Sequence, residues 1–268
     1  MISSRSVSCR GSLLILEQVG AAEHPLGATE IGRTLGISAG TVFRGLDALE
    51  RAGYVGRFQS SAKFVLGKTV GTLRQNLFAR FAIRDICMPY LRQLAFASGE
   101  TASLTVRLGW HGVRIAAAPG TNEVTSSPPL GAVRLLGEGC ASRAILASLA
   151  PGAAADYAAW GRRHKKPVPD LKTLARALAD IRRHGFATEE TAFARGRAAL
   201  AFALTGGGPA IAAIAIEGPV LDAARPDAHE GLPQWREIVQ SVERLVQARP
   251  ALFAGPFDHL DPDDIVLP

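Results

Sequence analysis

The sequence is poor in several features that would indicate other classes of protein. Its 3 cysteines, Cys9, Cys87 and Cys140, are an odd number without close spacing, which argues against a disulfide frame and a zinc site. No apolar run reaches the roughly 18 residues that a membrane span needs, and no small-residue cleavage pattern follows Leu13–Leu16. The 6 histidines form no H-x-x-x-H pair. We therefore expect a cytoplasmic protein with no signal peptide, membrane segment, cofactor or metal.

The composition is that of a folded chain whose N-terminal part is basic and whose C-terminal end is acidic. The 268 residues suffice for one large domain or two small ones, and 47% apolar residues permit a sizeable core. The net charge is +6, and residues 1–68 hold eight Lys or Arg against five Asp or Glu. The last twenty residues hold four aspartates against Arg249. This distribution suits a polyanion partner for the N-terminal part, although an Arg-rich proteome would also give a basic chain.

The stretch "ISAGTVFRGLDALERAGYV" at 37–55 predicts an amphipathic helix. Ser38 stands at the N-cap position, and three apolar residues recur at helical spacing toward a core: Val42, Leu46 and Leu49. Upstream, "PLGATEIGRTLGIS" predicts a short helix capped by Thr29 and ended by Gly36. Two short helices separated by a Gly-containing turn are typical of a helix-turn-helix.

Flanking segments extend this unit. A first helix is predicted over Leu13–Val19, and a small hairpin, or wing, over Tyr54–Phe58 and Lys63–Leu66. Residues 1–67 therefore predict a winged helix-turn-helix domain. Residues 68–83 predict a linker helix with an apolar stripe made by Leu66, Val70, Leu73 and Leu77. The stripe favours pairing with the same helix of a second copy, and the alternative is packing on its own domain.

From Asp85 the pattern changes to α/β, and residues 84–249 predict a second domain. Predicted helices cover Ile86–Phe96, Ser142–Leu149, a segment from Leu171 closed by Gly185, and Trp235–Leu245; predicted strands are Thr101–Leu108, Val113–Ala118, Ala198–Leu204 and Ala210–Ile216. "RRHKKPVPD" at 162–170 is predicted as an exposed loop, and the acidic tail 250–268 as poorly packed.

Over about residues 6–248 the chain resembles the IclR family of bacterial transcriptional regulators. The stretches that carry the resemblance, in order and spacing, are "PLGATEIGRTLGISAGTVFRGLDALERAGYV", "KFVLGKTV", "IRDICMPYLRQLAFASGETASL", "IRRHGFATEE" and "AIAAIAIEGP". The resemblance implies an α+β chain in which a winged-helix DNA-binding domain is joined by a linker helix to a GAF-like effector-binding domain. It also implies a dimer or tetramer on a double-stranded DNA operator, with a small-molecule effector.

The candidate DNA-binding residues follow from the recognition helix and its neighbours. A recognition helix places its N-terminal residues on base edges, where small side chains permit close approach. Thr41 can bond a base or a phosphate, and Arg44 a guanine edge or a phosphate. Phe43 either touches a thymine methyl or lies in the core. The full set is Arg10, Ser38, Ala39, Gly40, Thr41, Phe43, Arg44 and Lys63.

The second domain departs from the family pattern at its ligand-binding positions. In "RLLGEGCASRAILA", Leu135 replaces the usual Pro, Gly137 the His, Ser142 the Gly and Arg143 the Lys. Ala199 replaces a customary Cys, and Ala215 and Glu217 replace two Ser residues. In relatives these positions bond a small organic acid.

These changes favour a neutral or amine-bearing effector, such as an amide, a hydrazide or an aromatic compound, over a carboxylate, which Glu217 would repel. Glu189 and Glu217 would accept its hydrogen bonds, and Cys140 and Ala141 would line the wall and offer backbone N–H groups. Trp110 or Leu135 would cover an apolar part. The alternative is that Glu217 points outward or pairs with a neighbouring Arg, and that the pocket is degenerate.

Two rival functions remain to be weighed. Cys140 near a helix start could be an activated thiolate, but His111 and His164 carry no supporting motif, and we predict no catalysis. "TGGGP" at 205–209 lacks the G-K-[ST] of a phosphate loop. The second rival is a winged helix that binds another protein; a steep salt dependence of DNA affinity would separate the two.

Overall fold

The computed structural model describes residues 9–59, 61–79, 82–121, 128–190, 198–218, 230–250 and 261–265. The chain divides into two compact units, Met1–Ala79 and Arg80–Pro268. The predicted linker helix runs from Lys68 to Ala79 within the first unit. The boundaries drawn at residues 67, 83 and 249 stay predictions.

The first unit combines helices with a small antiparallel sheet. Its elements are α1 Cys9–Ala21, β1 Leu26–Gly27, α2 Ala28–Leu35, α3 Ala39–Arg51, β2 Val55–Arg57, β3 Lys63–Leu66 and α4 Lys68–Ala79. The strands lie in the order β1-β3-β2, and β2 pairs with β3 as a hairpin. The helix-turn-helix and the wing are therefore present as predicted, and β1 was not foreseen.

The limits of α2 correct one prediction and confirm another. Thr29 does not cap this helix, because it lies inside it and Gly27 holds the N-cap position. The carboxylate of Glu30 accepts the Gly27 N–H at 2.7 Å, which satisfies an otherwise unpaired donor at the helix start. Gly36 ends α2 in the left-handed conformation, with φ of 66°, as predicted.

The core of the first unit is built from one face of each of α1, α2 and α3 and from the sheet. Its buried members include Ile15, Val19, Ile31, Val42, Leu46, Leu49, Val55 and Phe64. The three apolar residues predicted to anchor α3 are all among them. Phe43 points the other way: 51% of it is exposed, which overturns the alternative that placed it in the core.

The apolar stripe that leads into α4 is only partly covered by its own unit. Leu66 is 42% exposed and Leu73 is 51% exposed, while Val70 is half-buried. The Leu77 side chain lies outside the described residues. Packing on its own domain therefore covers Leu66 and Val70 in part and leaves about half of Leu73 exposed.

The second unit is an antiparallel sheet with helices packed against it. Its elements are α5 Ala82–Ser98, β4 Thr101–Leu108, β5 His111–Ala118, β6 Val133–Leu135, α6 Cys140–Ala147, α7 Ala153–Arg163, α8 Leu171–His184, β7 Ala187–Glu190, β8 Ala198–Leu204, β9 Ala212–Gly218 and α9 Leu232–Ala248. Within the described residues the strand order is β6-β5-β4-β9-β8-β7. Neighbouring strands are therefore consecutive in sequence except at the centre, where β4 pairs with β9.

Helix α6 lies on a sheet face made of small side chains. Its buried residues pack with Ala187, Ala199, Ala201, Ala213 and Ala215 from β7, β8 and β9 in one apolar cluster. Because alanine projects only a methyl group, the helix can approach the strands closely. This packing brings the N-terminus of α6 beside the edge of the sheet where β7 ends.

Three predictions in the second unit need correction. Helix α7 was not predicted, and Arg162 and Arg163, assigned to an exposed loop, form its last turn. The helix predicted from Ser142 begins at Cys140. The tail predicted as poorly packed is anchored where it is described, because Asp263 contacts Trp110 and Arg163.

Among the described helices, none combines the length and the apolar character that a membrane crossing requires.

Candidate functional site

The exposed face at the start of α3 carries a row of hydrogen-bonded side chains. Ser38 caps the helix as predicted, since its Oγ accepts the Thr41 N–H at 3.3 Å. Ser38 Oγ and Thr41 Oγ1 lie 2.9 Å apart, and Arg44 Nη2 donates to Thr41 Oγ1 at 3.2 Å. The cap therefore helps to orient the Arg44 guanidinium along the helix surface.

The rest of this face is open and shallow. Ala39, Gly40 and Phe43 are exposed, and a Cβ added at Gly40 would meet no atom closer than Arg44 Nη1, at 4.0 Å. Farther along the helix Asp47 forms an ion pair with Arg51. The first two turns of α3 thus present small, apolar and basic groups, and the acidic side chain is engaged within the helix.

The turn that positions α3 depends on a glycine in α2. The Ile37 N–H donates to the Gly32 carbonyl at 3.0 Å, and a Cβ at Gly32 would lie 2.8 Å from the Ile37 carbonyl oxygen. Arg10 near the start of α1 and Lys63 at the start of β3 are both exposed in the same unit. All eight candidate DNA-binding residues are therefore exposed or half-exposed, and their contacts with DNA stay a prediction.

The second unit contains a pocket between the start of α6 and the sheet. Its empty volume is about 680 Å³, which includes the solvent at its mouth. The lining residues are Thr105, Gly112, Arg114, Pro128, Ala132, Arg134, Gly139, Cys140, Ala141, Ser142, Glu189, Ala199 and Glu217.

Five of the eight candidate effector residues line this pocket: Cys140, Ala141, Glu189, Ala199 and Glu217. The other three do not. Trp110 is buried and donates its indole N–H to Asp263, while Leu135 and Ala215 lie in the apolar cluster beneath α6. The expectation that Trp110 or Leu135 covers an apolar part of a ligand is therefore wrong for this pocket.

Glu217 belongs to a buried ion pair. Its Oε1 accepts hydrogen bonds from Arg114 Nη2 and, at 3.3 Å, from Ser103 Oγ. Arg114 lies on β5 and Glu217 on β9, so the pair bridges the strand between them, β4. The alternative in which Glu217 pairs with a neighbouring Arg is thus the observed arrangement. Burying both charges costs desolvation, and the pairing between them offsets part of that cost.

Glu189 occupies the N-terminus of α6. Its Oε2 accepts the Cys140 N–H at 2.9 Å, and its Oε1 lies 3.7 Å from Arg143 Nη2. A carboxylate at this end of a helix is stabilised by the unpaired N–H groups and the helix dipole. The expectation that the Cys140 N–H is free for a ligand is wrong, because the chain's own glutamate accepts it.

The charges of the described lining residues balance. Arg114 and Arg134 offset Glu189 and Glu217, so this part of the lining is formally neutral. Because Arg114 compensates Glu217, the argument that Glu217 repels a carboxylate ligand loses its force. The pocket instead presents both guanidinium donors and carboxylate acceptors.

Cys140 lacks the properties of a nucleophile. Burial is the largest cause that raises the pKa of its thiol above the usual value, and the negative charges of Glu217 and Glu189 act in the same direction. The thiol therefore stays protonated near neutral pH. Across the described residues, no cluster of three or more His, Cys, Asp or Glu side chains is arranged to hold a metal ion.

Reasoning from the sequence missed the two arginines that set the character of the pocket. Arg114 interrupts the apolar run "HGVRIAAA", and a charge inside a buried strand is a signal that could have identified it. Gly112 was also missed: a Cβ there would lie 2.4 Å from Ser142 Oγ, so the β5 backbone approaches α6 closely. Arg134 in the short strand β6 carries no comparable signal.

Two models of one protein family match the chain, each over a different part of it. Residues 75–244 match the family model described as the C-terminal part of the bacterial transcriptional regulator IclR. Residues 12–57 match the IclR helix-turn-helix domain. No curated protein matches the chain significantly.

Solved structures share the fold at low sequence identity. The Thermotoga maritima IclR is 20% identical, covers 90% of this chain and 97% of its own, and superposes with a TM-score of 0.71. An IclR homologue from Microbacterium hydrocarbonoxydans, complexed with 4-hydroxybenzoate, is 19% identical over 88% of this chain and 98% of its own, with a TM-score of 0.68. Pseudomonas aeruginosa HmgR is 19% identical over 90% and 98%, with a TM-score of 0.65.

Proposed function

Because the chain belongs to the IclR family of bacterial transcriptional regulators, we propose that it binds a promoter palindrome through α3 and responds to a small organic effector. Family membership makes it a DNA-binding transcription factor rather than an enzyme. The observation that carries the proposal is the Ser38–Thr41–Arg44 row on the exposed start of α3.

The proposed readout assigns each exposed group on α3 a distinct contact. Arg44 bonds a guanine edge or a phosphate, and the Thr41 hydroxyl bonds a base or a phosphate. Phe43, exposed rather than buried, contacts a thymine methyl group. Ala39 and Gly40 allow the helix to lie deep in the major groove, while Arg10 and Lys63 contact phosphates on either side.

We further propose that the chain acts as a dimer or tetramer. Leu66 and Leu73 expose an apolar stripe at α4, which a second copy would bury. Two recognition helices in such a dimer must lie about 34 Å apart along the groove, or a multiple of that distance. Their spacing is then the quantity that an effector controls.

The effector that best suits the pocket combines hydrogen-bond donors with acceptors. Glu189 and Glu217 accept from N–H or O–H groups, and Arg114 and Arg134 donate to a carbonyl or carboxylate oxygen. Small amides, hydrazides and aromatic acids or amides have this character. The 4-hydroxybenzoate bound by one relative also pairs a hydroxyl with a carboxylate.

An effector can change DNA affinity only by binding one arrangement of the dimer better than another. The Glu189 carboxylate already satisfies the Cys140 N–H, so a ligand acidic group that reached this position would have to displace it. The same contact between Glu189 and the Cys140 N–H also supports the alternative, in which the pocket is degenerate and the regulator binds no effector.

The experiment for DNA binding measures the affinity of the chain for its own upstream region by fluorescence anisotropy across a salt series. We expect affinity to fall steeply with salt, because phosphate neutralisation releases counterions. Arg44→Ala should weaken operator binding by about 1–3 kcal/mol and relax its sequence preference. Arg176→Ala, an exposed arginine on α8, is the matched control. Weak, salt-insensitive retention would contradict the proposal.

The experiment for the effector is calorimetry with amides, hydrazides and aromatic acids, including 4-hydroxybenzoate. We expect at least one of these to bind, and Glu189→Gln to weaken that binding. Glu138→Gln, which removes an exposed carboxylate close in sequence to α6, is the control. Failure of the whole panel would favour the effector-independent alternative.

A further inference from the structure

The C-terminal segment 261–265 is seated on the second unit by one carboxylate. Asp263 Oδ1 accepts the Trp110 indole N–H at 2.7 Å, and Asp263 Oδ2 accepts from Arg163 Nη1 at 2.9 Å. Trp110 lies in the turn between β4 and β5, and Arg163 is the last residue of α7. A single side chain thus joins two elements that are distant in sequence.

The turn fits the segment at a second point. Gly109 has φ of 58°, and a Cβ there would lie 2.9 Å from the Ile265 Cβ and 2.9 Å from the Pro262 carbonyl oxygen. The segment can approach this closely only because residue 109 has no side chain. The close approach at Gly109 and the hydrogen bonds of Asp263 therefore both hold residues 261–265 against the β4–β5 turn.

The segment is also ordered from within. Asp261 accepts the Asp263 N–H at 2.9 Å and so caps the 3-10 turn Pro262–Asp264. Proline near the start of this turn fixes the backbone that presents Asp263. Contacts within the segment therefore fix the backbone that carries the Asp263 side chain.

The groups around residue 263 favour an acidic side chain at that position. The hydrogen bond from Trp110 is the largest cause that lowers the pKa of the Asp263 carboxyl, and Arg163 and His164 act in the same direction, against the opposing effect of burial. The Arg107 guanidinium stacks on the Trp110 ring, 5.7 Å from its centre. An uncharged residue at 263 would lose the ion pair with Arg163.

We propose that residues 261–265 are a clasp that ties the β4–β5 turn to α7 and steadies the strands that carry the pocket. From Trp110 the chain runs directly into β5, which contributes Gly112 and Arg114 to the pocket. The Trp110 carbonyl accepts the Leu136 N–H at 3.0 Å, next to β6. The clasp therefore acts on both strands at one wall of the pocket, and it does not depend on which ligand enters.

Hydrogen exchange on the full chain tests the clasp. We expect Asp263→Ala to speed amide exchange over residues 109–114 by about tenfold, since hydrogen bonds to charged groups are among the stronger ones. The Trp110 indole N–H, identified by its loss in Trp110→Phe, should exchange faster as well. Arg163→Ala should produce the same changes to a smaller extent, because it removes one of the two partners.

Two controls separate the clasp from a general effect of charge. Asp258→Asn removes a negative charge from the same tail, and Arg162→Ala removes the arginine next to Arg163; both should leave exchange unchanged. Unaltered exchange in Asp263→Ala would overturn the proposal, as would an equal change in Asp258→Asn. The result is independent of operator binding, so a failure of the proposed DNA function would not affect it.

Discussion

At the scale of the residue, Gly32 decides whether the helix-turn-helix can close. A Cβ at this position would lie 2.8 Å from the backbone oxygen of Ile37, and a backbone atom cannot move aside as a flexible side chain can. We expect Gly32→Ala to lower the free energy of unfolding by about 1–3 kcal/mol, measured by urea denaturation.

Gly71→Ala is the control for this change, because a Cβ at Gly71 meets nothing within 4 Å and the residue lies in α4. It should stabilise the chain by about 0.5–1 kcal/mol through helix propensity. Equal effects of the two substitutions would contradict the role assigned to Gly32.

The buried pair of Arg114 and Glu217 gives a second prediction at this scale. Glu217→Gln removes the carboxylate charge that pairs with the buried Arg114 guanidinium, and we expect a loss of about 3 kcal/mol in the free energy of unfolding. Replacing both residues by Met should recover most of that loss, since neither charge is then buried. A double variant as unstable as the single one would contradict the pairing argument.

Single residues were predictable from the sequence where their role is local. Ser38 caps α3, and Gly36 and Gly185 end their helices in the left-handed conformation, because each role depends on a few adjacent residues. Thr29 failed as a cap since the glycine before α2 satisfies its N–H through Glu30 instead. A threonine near the start of a predicted helix was therefore not sufficient evidence for an N-cap.

At the scale of the element, we expect the start of β5 to make stability depend on pH. His111 is buried with its ring edge-on to Trp160, at 5.3 Å between centres. Burial lowers the pKa of His111 from the ordinary value of 6.5, the positive charge of Lys166 acts in the same direction, and the nearby Leu108 backbone acts against them. Unfolded histidine therefore binds protons at a higher pH than folded His111 does.

Because the unfolded state takes up more protons in that range, the free energy of unfolding should fall as the pH drops below about 6.5. Denaturant titrations between neutral and mildly acidic pH measure this slope. His111→Gln should flatten it, whereas His24→Gln, at an exposed histidine of the first unit, should not. Identical slopes in all three proteins would rule out His111 as the source.

The stripe at α4 yields a prediction about assembly. Leu73→Glu places a charge on the exposed apolar face, and we expect it to shift the chain toward monomers in sedimentation. Gln75→Glu adds the same charge to the same helix away from the stripe and should leave the assembly unchanged. Wild-type chain that sediments as a monomer would refute the dimer itself.

Elements with a clear period were predictable, and those without one were not. Helix α8 follows from regular apolar spacing, and the strands β8 and β9 follow from continuous apolar runs. Helix α7 has the sequence "AAADYAAWGRR", in which alanine occupies both faces and leaves no distinct stripe. The two-residue strand β1 exists only through its pairing with β3, which no local pattern reveals.

At the scale of the whole molecule, the order of the segments was sufficient to identify the family, but not the pocket. The pocket joins residues from β4, β5, β6, α6, β7, β8 and β9, and which side chains share a face depends on strand register. Leu135 was misassigned for this reason: its neighbour Arg134 lines the pocket, while Leu135 lies in the apolar cluster beneath α6. Trp110 was misassigned because it lies in the turn before β5 and contacts Asp263.

The alanines in the pocket wall restrict how its selectivity can change. Ala132, Ala141 and Ala199 already carry the smallest side chain other than hydrogen, and Gly112 has no room for a methyl group. Nearly every substitution at the three alanines would fill space rather than create it. Substitutions at this wall, natural or engineered, should therefore restrict the pocket to smaller ligands. Larger ligands would be accepted only if the charged side chains of the lining were replaced by shorter ones.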